Sequence, residues 1–256
     1  MVAQIRSYTA YRASFAIDLM TNGLVPLLDL ATILAIFQVT AGLGGFSATE
    51  VLVMFGLSSL AFALADLAVG EIEKLRNVIR AGGLDAVLVR PLSVLGQLLS
   101  SGFAFRRLGR TAVALIVLVV AVTRAHLALT PARLALVVLA PVAGAVLFGS
   151  IFVACATVAF WWIDSGEFAN AFTYGGRDFT SYPVTVYGRV FRHVFAYGLG
   201  FAFVSYYPAL ALFGRPDPLG LPRWVAWSSP AVAAVALLVA SVIWRFGVRQ
   251  YRSAGS

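Results

Sequence analysis

Four stretches of this chain, 30–49, 134–163, 193–214 and 224–244, contain no Asp, Glu, Lys or Arg. A helix of about 20 apolar residues crosses the hydrocarbon core of a bilayer. The chain has 256 residues, 61% of them hydrophobic, and a mean hydropathy of +0.90. A soluble monomer built from such runs would expose far more apolar surface than it tolerates. An all-α membrane protein is therefore expected, and transport comes before hydrolysis among its functions.

Six transmembrane helices are expected in a single domain, at about 23–41, 51–70, 108–125, 132–163, 190–213 and 225–246. The third is the least marked, since only 111–123 is free of charge. The fourth is long enough to tilt or to bend at Pro141. Six spans return the chain to its starting side, and the basic residues then divide fifteen to four in favour of that side. The positive-inside rule puts both termini in the cytoplasm, with the chain a multi-pass protein of the cell membrane. Trp161 and Trp162 close the fourth span, Trp224 and Trp227 open the sixth and Trp244 closes it, as interfacial belts require. Ahead of the first span, Val2, Ile5, Tyr8, Phe15 and Leu19 oppose Gln4, Arg6, Ser7, Arg12 and Asp18. That spacing predicts an amphipathic N-terminal helix over 1–22, lying in the interface.

Several chemistries drop out. The net charge of +8 comes from 18 Arg and the single Lys74 against 11 acids. Loops facing anionic headgroups account for it, and no basic domain for nucleic acid lies outside the spans. Cys155 is the only cysteine, so neither an intrachain disulfide nor a cysteine metal cluster can form. Cys155 sits among Phe152, Val153 and Val158 and reads as packing. His126 and His193 are far apart, and no metal or bound cofactor is expected. A phosphate-binding loop needs Gly-x-x-x-x-Gly-Lys-[Ser/Thr]. Lys74 is followed by Leu75, so the chain lacks that ATPase motif. Asp164 and Ser165 stand near no Gly-x-Ser-x-Gly elbow, so a membrane hydrolase is not expected either.

Two connections on the cytoplasmic side, about 71–107 and 164–189, are too long to be turns. In the first, Glu71, Glu73, Lys74, Arg76 and Arg80 mark a charged helical segment that Gly82 and Gly83 break. Leu84–Val89 then predicts a second short helix, with Pro91 beyond it. Two short helices at a sharp angle read either as a docking knob, with an apolar underside of Leu84, Val87 and Leu88, or as a solvated loop with snorkelling arginines.

The run Gly83-Leu-Asp-Ala-Val-Leu-Val-Arg-Pro-Leu92 resembles the Gly-x-x-Asp-x-x-Leu-x-[Lys/Arg]-Pro-Leu signature of the six-span permeases of the type-2 ABC exporter class. Tyr182-Pro183, the run Phe201-Ala-Phe-Val-Ser-Tyr-Tyr-Pro-Ala-Leu-Ala-Leu212 and the terminal Tyr251-Arg252 are similar to further family features, in the same order. Two positions depart from the pattern: Gly200 stands where members often carry Pro, and Ser205 where Asn is usual.

The resemblance implies a permease subunit of an ATP-driven exporter. It would face a second permease subunit, in a homodimer or heterodimer, above separate ABC ATPase subunits that carry the ATP and Mg. The 71–91 loop would correspond to the family's coupling helices, with Glu71, Glu73, Arg76, Arg80, Leu84, Asp85, Leu88, Arg90 and Pro91 contacting the ATPase. Phe201, Ser205 and Tyr206 would line the translocation path, with Phe195, Tyr197, Phe203 and Tyr207 as further wall. Two other readings remain at this point. One is a proton-coupled secondary transporter using the intramembrane acids Asp29 and Asp66, against which stands the reading that both acids are interfacial or paired with Arg. The other is a structural membrane subunit with no flux of its own.

Overall fold

The computed structural model describes residues 12–100, 106–128 and 130–251, with side chains from residue 23 onward except for 101–106 and 129. The helices are α1 (Arg12–Val39), α2 (Ala48–Val69), α3 (Leu75–Arg80), α4 (Leu84–Leu88), α5 (Val94–Ser100) and α6 (Arg106–Arg124). They continue with α7 (Pro131–Thr157), α8 (Gly166–Thr180), α9 (Arg189–Phe191), α10 (Tyr206–Phe213) and α11 (Ser229–Gln250). No strand occurs among the described residues; Leu43 and Phe46 form an isolated bridge that closes the turn before α2.

α2 is the axis of the bundle. Ser47 caps it, with the Glu50 carboxylate returning to the Ser47 backbone N–H at 2.8 Å and hydroxyl at 2.9 Å. It runs through a 3₁₀ turn, Gly70–Lys74, into α3, making a continuous 33-residue rod. Of its most apolar stretch 78% is buried, against 22% for α11. α6 packs along one side of it and α7 along the other, α1 leans on α6, and α11 covers the far side of α7. Small residues permit this closeness. A Cβ on Gly56 would lie 2.8 Å from the Leu118 Cα of α6, and one on Gly144 of α7 would lie 2.7 Å from the Ala61 Cβ.

Among the described residues, three helices are long and apolar enough to cross a membrane, and a fourth crossing is possible if the bent pair described below counts as one span. They are the α2–α3 rod, α7 with its 3₁₀ extension to Phe160, and α11. α1 is unbroken from Arg12, with Pro26 inside it, so no boundary appears at 22 where an interfacial helix was expected to end. Residues 1–11 of that expected helix lie outside the described residues. Trp161, Trp162, Trp224 and Trp227 are exposed near helix ends, as a belt requires, but Trp244 is buried on Phe160.

The largest departure concerns 164–213. The connection expected on one side instead runs beside the rod, as helix α8 from Arg76 to Ser58 and then as a loop that reaches Gly44. α8 starts with Gly166 against Arg76 at the Arg80 end of the rod. Thr180 at its finish shares a 2.6 Å hydrogen bond with Ser58, and the Thr185 hydroxyl donates to the Gly44 carbonyl at 2.7 Å, beyond the Ser47 end.

The expected straight span 190–213 is broken. α9 widens into a π-helical turn, Arg192–Gly198, and the chain then bends by 66° into Phe201–Phe213. Gly200 makes the bend at φ +78°, a left-handed backbone that favours glycine, with Val232 only 2.8 Å from where a Cβ would stand. Both arms keep to the Ser47 end. Arg189 and Arg192 adjoin Leu219 and Leu221 of the following loop, and Arg215 after α10 pairs with Glu50 at 2.6 Å.

The tight α2–α6 contact gives a direct test. Gly56→Leu overpacks it and costs about 1–3 kcal/mol, lowering the thermal unfolding midpoint in detergent. Gly175→Ala, whose Cβ would meet nothing within 4 Å, leaves that midpoint unchanged.

Candidate functional site: the charged junction and its loop

Where α2 gives way to α3, α6 begins alongside, and their charges interlock. Arg107 Nε lies 3.0 Å from Asp66 Oδ1 and its Nη1 3.1 Å from Glu71 Oε1. Arg110 Nη1 takes the other Asp66 oxygen at 3.1 Å, and Lys74 Nζ reaches Glu71 Oε2 at 2.5 Å. Asp66, Glu71 and Arg107 are 4%, 6% and 8% exposed. In such a setting the desolvation of each charge is offset only while its partners stay in place.

Glu73 points the other way, into a cavity it shares with Tyr174 of α8. Glu73, Arg76, Asn170 and Tyr174 line a cavity of about 260 Å³ between the rod and α8. Arg80 pairs with Asp164, just before α8. The rod is thus clamped to α6 on one side and to the start of α8 on the other.

Beyond the clamp the loop turns sharply. Gly82 and Gly83 donate to the Ile79 and Val78 carbonyls at 3.0 and 2.9 Å, closing α3 in the manner of a glycine helix stop. Leu84 plugs the core at 1% exposure. Gln97 of α5 holds the chain after α4 by donating to the Val87 and Leu92 carbonyls at 3.0 and 3.1 Å. Leu88, Val89 and Leu92 are left 38%, 85% and 67% exposed, with Arg90 and Pro91 exposed between them.

The expected contact set therefore divides. Leu88, Arg90 and Pro91 stand on the tip. Asp85 is half-buried; Arg76 and Arg80 flank the rod against the start of α8. Glu71 is buried on Arg107 and Leu84 in the core, while Glu73 is half-buried beside the cavity toward α8. Val89 and Leu92, the most exposed apolar residues of the tip, were not singled out from sequence. The Arg90-Pro91 step after a short helix was the available signal, since Pro forbids continuation and leaves its neighbours on a turn.

The residues expected to line a path are packed solid. Phe201, Ser205 and Tyr206 are 0%, 1% and 1% exposed. The Ser205 hydroxyl donates to the Thr180 carbonyl at 2.5 Å, Tyr206 donates to Asp217 at 2.8 Å, and Phe201 packs on Phe148 and Phe179. They pin the bent segment to α8, α7 and the following loop, and line none of the cavities described here. Asp217, which receives the hydroxyls of both Tyr206 and Tyr207, was missed because its partners lie a bend away. The intramembrane acids are both matched by arginine. Asp29 pairs with Arg177 of α8, and Asp66 with Arg107 and Arg110. The motive for reading either as a proton site falls away. Ser165 and Asp164 lie at the Arg80 end and His193 at the other, so no hydrolytic set forms.

A family model, described as ABC-2 family transporter protein, matches residues 24–255. The chain belongs to the ABC-2 transporter family. Membership makes it a membrane transport component of the permease kind rather than an ATPase. No curated protein and no solved structure matches the chain. The signature run that the ABC-2 resemblance rested on, Gly83–Leu92, is the segment that carries the turn, α4 and the exposed tip.

Arg107→Ala leaves Asp66 and Glu71 buried without their shared partner and costs about 3–5 kcal/mol, read as a large loss of thermal stability in detergent. Lys74→Ala, at a side chain 58% exposed, changes it by under about 1 kcal/mol.

Proposed function

We propose that this ABC-2 permease is the membrane half of an ATP-driven exporter and works by alternating access beside a second permease subunit. Separate ATPase subunits dock on the tip formed by Leu88, Val89, Arg90, Pro91 and Leu92. The observation that carries this reading is an exposed apolar tip on a rod locked to two neighbours by ion pairs. A push on the tip is delivered to α6 through Arg107 and Arg110, and to α8 through Arg76, Arg80 and Glu73. Rigid-body closure of a partner needs such a stiff lever. ATP and Mg belong to the partner chain and supply the energy for the change in access.

Six crossings follow if α1, α2, α6, α7, α8 and α11 each span the bilayer and the bent pair dips in from the outer face and returns. Twelve basic residues then lie on the side of the termini and six on the other, with Arg177 inside the bundle paired to Asp29. The bias is smaller than that of the straight-span arrangement and keeps its sign, which supports cytoplasmic termini and a cytoplasmic tip in the cell membrane.

Val89→Asp combined with Leu92→Asp puts two carboxylates on the tip. The expected result is loss of an ATP-binding subunit from a mild-detergent pull-down of the tagged permease, with its own thermal stability unchanged. Retention of that subunit by the double variant contradicts docking at the tip. Its absence from the unmodified protein as well points to a membrane subunit that works without an ATPase.

A further inference from the structure

The bent segment carries a second site, at the opposite end of the bundle from the tip. A pocket of about 410 Å³ lies between the π-helical turn and the loop after α10, lined by Arg189, Arg192, His193, Tyr197, Leu219 and Leu221. π-turns are rare and recur at functional sites. Arg192, His193 and Tyr197 follow Arg189 by three, four and eight residues, which gathers all four on one side of the turn.

The polar groups of this pocket are predominantly cationic or donors. His193 Nδ1 lies 2.7 Å from the Arg189 carbonyl oxygen, so that nitrogen holds a hydrogen and Nε2 remains for a ligand. Four other arginines, Arg107, Arg110, Arg177 and Arg215, each meet a carboxylate. Among the described residues, neither Arg189 nor Arg192 has a carboxylate within ion-pair distance, and the buried Arg192 Nε–H donates to nothing. The acid of the adjoining loop is already engaged. Asp217 accepts the Tyr206 and Tyr207 hydroxyls and the backbone N–H groups of Leu219 at 3.0 Å and Leu221 at 3.4 Å.

We propose that this pocket binds a phosphate group. Two guanidinium forks match the oxygens of a phosphate pairwise, with the His193 ring beside them. The group can arrive on a phospholipid of the outer leaflet or free in solution. Val190 and Val194, 79% and 51% exposed, give the pocket an apolar flank that suits a lipid. The inference goes beyond the transport reading and stands whether or not an ATPase docks on the tip.

His193 is its own reporter, because His126 is the only other histidine. His126 sits at φ +48°, which Asn tolerates, so His126→Asn leaves a single imidazole. The full chain, with an affinity tag free of histidine, is placed in nanodiscs of neutral phosphatidylcholine, and the His193 ring resonances are followed by NMR. Titration with inorganic phosphate is one arm, and exchange into discs containing phosphatidylglycerol is the other. A saturable displacement by phosphate alone assigns a free anion; displacement by phosphatidylglycerol alone assigns a headgroup; either supports the site. Arg192→Gln weakens the effect at least tenfold, and Arg192→Lys, which keeps the charge but not the fork, less so. No displacement by either probe overturns the proposal, as does a displacement that survives Arg189→Gln and Arg192→Gln undiminished.

Discussion

A charge inside an apolar bundle has to be paired, and the pairing of a few charges determines how this chain is threaded. Asp66 and Glu71 would each destabilise the junction of α2 and α3 if left alone; Arg107 and Arg110 make that junction the place where α6 must begin. Arg177 would be equally costly in the middle of the bundle without Asp29. Once these pairs are formed, α2 has its two flanking helices and α8 has its slot, and the apolar faces complete the packing around them.

The same constraint explains which parts were legible in the sequence. α2, α7 and α11 fall close to their expected spans because long uncharged runs admit little else. A helix, α6, also forms where the third span was expected, although three of its first five residues are arginine. α8 was read as a connection because Glu167, Arg177 and Asp178 break its hydropathy. Glu167 and Asp178 are exposed and Arg177 is neutralised by Asp29, a partner some 150 residues away in sequence that no local pattern reveals. The segment 190–213 was over-read for the opposite reason. From residue 193 onward it is uncharged and long enough, but Gly198 and Gly200 flank a break that hydropathy does not register.

The candidate site shows a similar division. The glycine stop at Gly82-Gly83, the short helix after it and the exposed Arg90-Pro91 turn follow from local chemistry and were expected. The inward aim of Glu71 and Glu73 was not, because a charged run on a helix looks the same whether its partner is solvent, another chain or the next helix. Only the arrival of α6 and α8 decides it. The outcome sharpens the functional account: the acids hold the lever together, and the apolar tip is what a partner would grip.

The most direct test of this threading is the side of the membrane on which residue 190 lies. In a Cys155→Ser background, single cysteines at Val190, Val89 and Arg223 are exposed to a membrane-impermeant thiol reagent applied from outside the cell. The account predicts that Val190→Cys labels with Arg223→Cys, and that Val89→Cys labels only after the membrane is opened. If Val190→Cys instead labels with Val89→Cys, then 190–213 crosses as a straight span, and the placement of α8 as a crossing helix is wrong.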